Sequence, residues 1–187
     1  MVGTELSGVK VNLRPIRDDD LLRRAEWLND VEIVHFFTGQ PRNKPYGVAD
    51  AELWRRTLEN DPTTILWAIE TVYNRHIGDV DLHTIDRFYK SAKLTILIGE
   101  KECWDCGYGT DAIRTLLHYA FTEMRLNDVD LRVFRFNTRG IRCYEKNGFC
   151  QTDKPSAGQM GASEPGEVYM TVSRERFLTE IPNAIAL

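Results

Sequence analysis

Residues 92–149 constrain the fold more than any other stretch of the chain. They run from an apolar strand pattern at 92–98 through a glycine turn, Cys106-Gly107-Tyr108-Gly109-Thr110, into a helix pattern at 111–124. Ile113, Leu116, Leu117, Ala120, Phe121 and Met124 recur there at helical spacing, so one face of that helix is apolar. A second strand pattern follows at 129–136, then Asn137, a short helix at 139–146 and a left-handed stop at Asn147-Gly148 before Phe149. A glycine turn that opens a helix presents backbone N–H groups and the positive end of the helix dipole, a place to hold phosphates. A second strand beside the first can hold the reacting end of the same ligand.

The remainder alternates strand and helix patterns around that unit. Residues 9–15 alternate apolar and polar positions and predict a strand ending at Pro15. Asp18-Asp19-Asp20 suits a helix start, with Asp18 as the cap and Leu21, Leu22, Ala25 and Leu28 on the apolar face. Residues 31–37 predict a second short helix, 39–47 a loop, and 49–58 a helix with Leu53, Trp54, Thr57 and Leu58 near one face. Residues 65–72 and 77–82 read as strands joined by a hairpin turn at 73–76. Residues 153–166, rich in Gly, Pro, Ser and Ala, read as a mobile loop, followed by a strand at 167–173 and a short exit at 174–178. This order predicts the α+β class, a mixed and mostly antiparallel sheet flanked by helices. With no internal repeat and no separating linker, one domain over residues 1–187 is expected.

Composition narrows the function classes. The net charge of −4 argues against broad nucleic-acid binding, which needs a dense basic surface. No apolar run approaches the roughly 20 residues of a membrane helix. The first ten residues lack the basic start and apolar stretch of a secretory signal, so a cytoplasmic location is expected. The four cysteines, Cys103, Cys106, Cys143 and Cys150, are then expected as free thiols. Cys103 and Cys106 have the spacing of a redox or metal pair, but Cys143 and Cys150 are too widely spaced to complete a usual zinc knuckle, and no metal is expected.

Two other nucleotide motifs compete for the glycine turn. Gly107 to Ala112 satisfies the dinucleotide pattern G-x-G-x-x-A, and Asp128 and Asp130 stand near its acidic position. That fingerprint needs the glycines directly after the strand, whereas Gly99 to Cys106 intervene here, and only one short helix follows residue 136. A P-loop fails because no Gly-Lys-Ser/Thr follows.

The segment Trp104-Asp105-Cys106-Gly107-Tyr108-Gly109-Thr110-Asp111-Ala112-Ile113 is similar to the cofactor signature of the GNAT superfamily of N-acetyltransferases. Residues 137–149, with Asn137, Tyr144-Glu145-Lys146 and Gly148-Phe149, are similar to that family's Asn…Tyr-Glu-Lys-x-Gly-Phe block. Leu13-Arg14-Pro15-Ile16-Arg17 with Asp18-Asp19-Asp20, and the 77–82 strand, resemble the branch of ribosomal-protein N-terminal and spermidine acetyltransferases. The resemblance implies a sheet whose two central strands splay to admit the thioester of acetyl-coenzyme A. It also implies cofactor contacts from Leu97, Ile98, Trp104, Cys106, Gly107, Tyr108, Gly109, Thr110, Asn137 and Arg142. Thr110 would cap the helix or donate its hydroxyl. Backbone N–H groups near Leu97 or Ile98 would polarise the carbonyl. Asn137 would bond the pantetheine arm or cap the following helix, and Tyr144 would protonate the departing thiolate.

Two positions depart from the family pattern. Lys93 stands where many relatives carry an acidic residue, so the base that takes the amine's proton is unassigned. Candidates are Asp79 and Asp81, which share a strand face, and Glu32 and His35 near the N-terminal helices. Asp105 would repel a pyrophosphate unless it points outward or Lys101, Arg139 or Arg142 offsets it. Acceptor selectivity is expected in residues 31–46, where Glu32, His35, Phe36, Phe37 and Tyr46 suit a cationic amine, and in the 153–166 loop. A polyamine or amino sugar is the expected acceptor, with a protein N-terminus as the alternative. A non-catalytic acyl-coenzyme A sensor is the reading from another class. A homodimer is compatible with the chain.

Overall fold

The computed structural model describes residues 4–153 and 166–181. In chain order the elements are β1 (Leu6–Ser7), β2 (Val11–Arg14), α1 (Asp18–Trp27), α2 (Val31–Thr38), α3 (Val48–Asn60), β3 (Ile65–Thr71), β4 (His76–Asp86) and β5 (Ser91–Ile98). They continue as α4 (Tyr108–Thr122), β6 (Asp128–Phe134), α5 (Thr138–Glu145), β7 (Cys150–Thr152), β8 (Glu167–Ser173) and α6 (Arg174–Glu180). The strands form one eight-stranded sheet in the order β1-β2-β3-β4-β5-β6-β8-β7. Every neighbouring pair is antiparallel except β5–β6, so the fold is α+β with a mixed sheet flanked by helices, as predicted.

The parallel pair is what makes a site possible. β5 and β6 are in register only at Ser91–Asp128, Ala92–Val129 and Lys93–Asp130. Beyond Lys93 the strands part, although β5 runs on to Ile98 and β6 to Phe134. The connection between them is α4, whose apolar stripe (Ile113, Leu116, Leu117, Ala120 and Phe121) is fully buried on one face of the sheet against Trp67, Ile69, Val80, Leu82 and Val129.

The opposite face is covered by α1 and α3 and is mixed in chemistry. Ile16, Leu21, Ala25, Trp27 and Ala51 pack there on Leu66, Ala68 and Leu97. Through this layer runs a buried ionic network. Arg14 donates to Asp20 at 2.7 Å and to Glu70 at 2.7 Å, and Arg24 pairs with Asp79 while lying 3.3 Å over the Trp54 ring. Burial opposes ionisation of Asp20, but hydrogen bonds from Arg14 and from the Arg17 backbone outweigh it and hold its carboxyl below the usual range.

Several details differ from the sequence expectation. Arg17, not Asp18, is the N-cap of α1, and the side chain of Asp20 accepts from its N–H at 2.7 Å. Leu22 and Leu53, expected on apolar helix faces, are 57% and 65% exposed. The helix expected from residue 111 begins at Tyr108, with Gly107 as N-cap, so Thr110 lies inside the first turn and is not the cap. β1 and β7, only two and three residues long, were not predicted. Most of the expected 153–166 loop lies outside the described residues. No helix among the described residues is long and apolar enough to cross a membrane.

Candidate active site

A cleft of about 580 Å3 opens where β5 and β6 part. Its walls are the end of β5 (Ile96, Leu97, Ile98), the turn from Trp104 to Gly107, the first turn of α4 (Gly109, Thr110) and the inner side of α5 (Gly140, Cys143, Tyr144). Gly107 sits at φ +85°, a left-handed conformation that favours glycine. As the N-cap it brings no side-chain hydrogen bond, so the first N–H groups of a 15-residue helix face the cleft without a protein cap. A Cβ on Gly109 would lie 3.6 Å from both Cys143 Sγ and Ile98 Cγ1, so this glycine leaves room for a ligand. Arg139, Arg142 and Lys146 supply positive charge around the same space. A pyrophosphate with an attached apolar arm fits these features: N–H donors and cations at one end, Ile96, Leu97 and Phe36 at the other.

Asp105, at φ 57°, also lines the cleft, and the nearby Arg139 offsets its charge. Arg139 is wedged 3.6 Å over the Trp104 ring and 4.8 Å over Phe36; burial lowers its pKa, against the pull of Asp105. Lys101 does not take that part, because it binds Asp30 at 2.7 Å and Glu32 at 3.2 Å. Trp104 is fixed from the other side by its indole N–H, which donates to the Ile98 carbonyl at 2.8 Å.

A second cavity of about 460 Å3 shares Phe36, Phe37, Ile96, Asn137 and Tyr144 with the first. Its floor is polar: His83 and Thr84 from β4, Lys93 and Thr95 from β5, Asp130 and Arg132 from β6, Glu167 and Tyr169 from β8. Strand register explains the grouping. His83 is paired with Lys93, and Lys93 with Asp130, so the three share one face of the sheet. This is the face that carries Arg14 and Asp79 further along, and it is polar where β5 and β6 begin to part.

Tyr144 stands at the junction of the two cavities, 9% exposed, with its ring edge-on to Phe149 at 5.9 Å. Burial first, and the neighbouring Cys143 second, push its hydroxyl far above the ordinary range, so it stays protonated and has a proton to give. Asn137 is the N-cap of α5, accepting from the Gly140 N–H at 2.9 Å, and its amide also reaches the Phe36 carbonyl at 3.5 Å. Capping occupies its oxygen and leaves its amide N–H groups near both cavities.

Leu97, Ile98, Trp104, Cys106, Gly107, Gly109, Thr110, Asn137, Arg142 and Tyr144 line the first cleft together. Thr110 Oγ1 lies 3.4 Å from Cys143 Sγ. Tyr108 does not join them; its ring packs on the main core and lies under Lys10 Nζ at 5.7 Å. Of the acceptor candidates, Phe36 lines both cavities. Glu32 pairs with Lys101, and His35 stacks on Phe136 at 4.4 Å, so neither lines a cavity. Asp79 is enclosed with Arg24 and is 4% exposed. Asp81 accepts from or donates to His83 Nδ1 at 2.8 Å, and burial raises its pKa against that hydrogen bond. No sequence pattern marks His83, Glu167 and Tyr169, and Asp130 stands out only for the dinucleotide pattern, because only the strand register places the four beside the gap.

Residues 10–150 match the acetyltransferase (GNAT) domain family, and the chain belongs to that family. It is therefore a GNAT-type acetyltransferase. The human alpha/beta-tubulin-N-acetyltransferase 9 is 25% identical over 165 residues, covering 83% of this chain and 80% of that protein. Aminoglycoside N(6')-acetyltransferase type 1 of Klebsiella pneumoniae is 24% identical over 181 residues, covering 91% and 87%. Among solved structures, the fold is similar to Vibrio cholerae spermidine N-acetyltransferase in complex with CoA and spermine, with a TM-score of 0.74 at 21% identity, covering 91% of this chain and 99% of that one.

Proposed function

We propose that the first cleft binds acetyl-coenzyme A, the second cavity binds a small cationic amine of the polyamine or amino-sugar type, and the two react directly in a ternary complex. The observation that carries this reading is the junction: one buried, protonated tyrosine hydroxyl where a phosphate-suited cleft meets a polar cavity. The coenzyme supplies an activated thioester. The α4 N-terminus with Arg139 and Arg142 holds the pyrophosphate, and the Asn137 amide orients the pantetheine arm.

The Gly99 N–H donates to the Ile77 carbonyl, so along β5 the N–H of Leu97 points to β4 and that of Ile98 points to the gap. Ile98 is therefore the residue whose N–H polarises the carbonyl. Tyr144 protonates the leaving sulfur. The second cavity has a polar floor and a volume of about 460 Å3, which suits a small polar acceptor. The named activities of the aminoglycoside and spermidine enzymes support the same acceptor class.

Calorimetry with acetyl-coenzyme A, followed by free-thiol release on adding spermidine, an aminoglycoside or an N-terminal peptide, tests the reading. Binding with thiol release on one of the first two is the expected result. Release only with the peptide moves the acceptor to protein N-termini. Tight coenzyme binding with no release for any amine favours a sensor.

A further inference from the structure

Deprotonation of the acceptor needs a base, and the position on β5 that could have carried an acidic one holds Lys93. We propose that His83, held by Asp81, is the catalytic base of this enzyme, with Asp81 as its positioning residue. The inference rests on the acceptor site assigned above.

His83 is the cross-strand neighbour of Lys93, one strand further from the gap. Its side chain is 32% exposed, and it lines the cavity that Tyr144 also lines. Nδ1 lies 2.8 Å from Oδ2 of Asp81, two residues earlier on the same face of β4. When Asp81 is ionised it accepts from Nδ1–H, which fixes the tautomer and leaves the lone pair on Nε2. Nε2 has no hydrogen-bond partner among the described residues. The regular register of β4 against β5 breaks immediately after His83, and Thr84 there has φ 51°, a local distortion of the kind that re-aims a side chain.

The other titratable groups at the cavity are less suited to the task. Asp81 is 9% exposed and turned to His83. Asp130 is 2% exposed, and Glu167 is paired with Arg132 at 3.4 Å. Tyr144 is held protonated, Tyr169 is a phenol, and Lys93 and Arg132 are cations that donate and do not accept. The charged groups around His83 are Asp81 on its own strand, Lys93 on β5, Asp130 and Arg132 on β6, and Glu167 on β8.

The step closes in atoms and charge. Nε2 takes one proton from the substrate ammonium and passes it to water. The freed nitrogen lone pair forms the N–C bond at the thioester carbonyl as the C–S bond breaks. Tyr144 gives its proton to sulfur and is restored by the second proton that nitrogen loses as the amide forms.

The test is kcat/KM against pH for thiol release, with acetyl-coenzyme A and spermidine or, where spermidine is not turned over, an aminoglycoside. The wild type should show an acid limb in the imidazole range, about pH 5 to 8. His83→Gln should lose about 10²–10⁴-fold in rate and lose that limb, with coenzyme A affinity by calorimetry unchanged. Asp81→Asn should keep a limb but displace it to lower pH, since a neutral partner no longer favours imidazolium. A purely structural histidine would lower the rate without moving the limb. His83→Gln that keeps both limb and rate overturns the proposal while leaving the acceptor site standing. Should His83→Gln fail to bind coenzyme A, an unmoved limb in Asp81→Asn overturns it. No thiol release by the wild type with any amine overturns both readings.

Discussion

Under α4 the sheet presents Trp67, Ile69, Val80, Leu82 and Val129, all at 0–1% exposure, and nothing charged. Across the same strands, on the side of α1 and α3, it presents Arg14, Glu70, Asp79 and Asp81, each also below a tenth exposed. The two faces are equally dry but solve burial differently. One removes apolar area from water, worth roughly 25 cal/mol per Å2. The other must pair every charge it hides, because an uncompensated buried ion costs several kcal/mol. The apolar face needs complementary shape. The ionic face specifies partners, and that precision extends to the polar floor beneath the gap. Both faces contribute to stability, one through apolar area and the other through paired charge as well.

The largest break in that comparison is Phe121→Ala. Phe121 is fully buried and packs on Phe177 at 5.4 Å, so truncation should cost about 3–5 kcal/mol in urea unfolding. The ionic face should respond in another pattern. Arg24→Met leaves Asp79 without its cation and should cost about 3–5 kcal/mol, whereas the pair Arg24→Met with Asp79→Leu should recover most of it. Equal losses in the single and double variants would remove the distinction between the faces.

Gly109→Ala sharpens the comparison at the cleft. Its Cβ meets only ordinary contacts at 3.6 Å, so unfolding stability should hold. Coenzyme A affinity should fall by about 1–3 kcal/mol as the Cβ fills the space beside the helix N-terminus, read by calorimetry.

The smallest effect is a pair of opposite pH slopes. The Asp20 pKa is held below its ordinary 3.8, so its contribution to stability is present above that pH and is lost as pH falls through the folded value. The Asp81 pKa is raised by burial, so its contribution is lost as pH rises from 3.8 through the folded value. Asp20→Asn should therefore flatten the fall in urea-derived stability below pH 4. Asp81→Asn should flatten the fall above it.

Much of this architecture is readable from residues alone because it is local. The α4 stripe, the glycine turn and the Asn137–Tyr144 spacing each lie within one or two helical turns, where periodicity and capping rules apply. β1 and β7 escaped because two or three residues carry no period. Asp79 looked available until α1 brought Arg24 to it from 55 positions away. Tyr108 sits in the motif, yet its ring turns to the core because α4 begins one residue after Gly107. His83 carries no local signal at all. Its place beside Lys93 and the gap exists only once β4 and β5 are in register.

The central claim is that Tyr144 delivers the proton at the meeting point of the two cavities. The most direct measurement is thiol release by Tyr144→Phe at saturating acetyl-coenzyme A, with calorimetric coenzyme A binding on the same sample. A rate lower by about 10²–10⁴-fold with affinity unchanged is the predicted result. A variant that binds coenzyme A and turns over at the wild-type rate would contradict it.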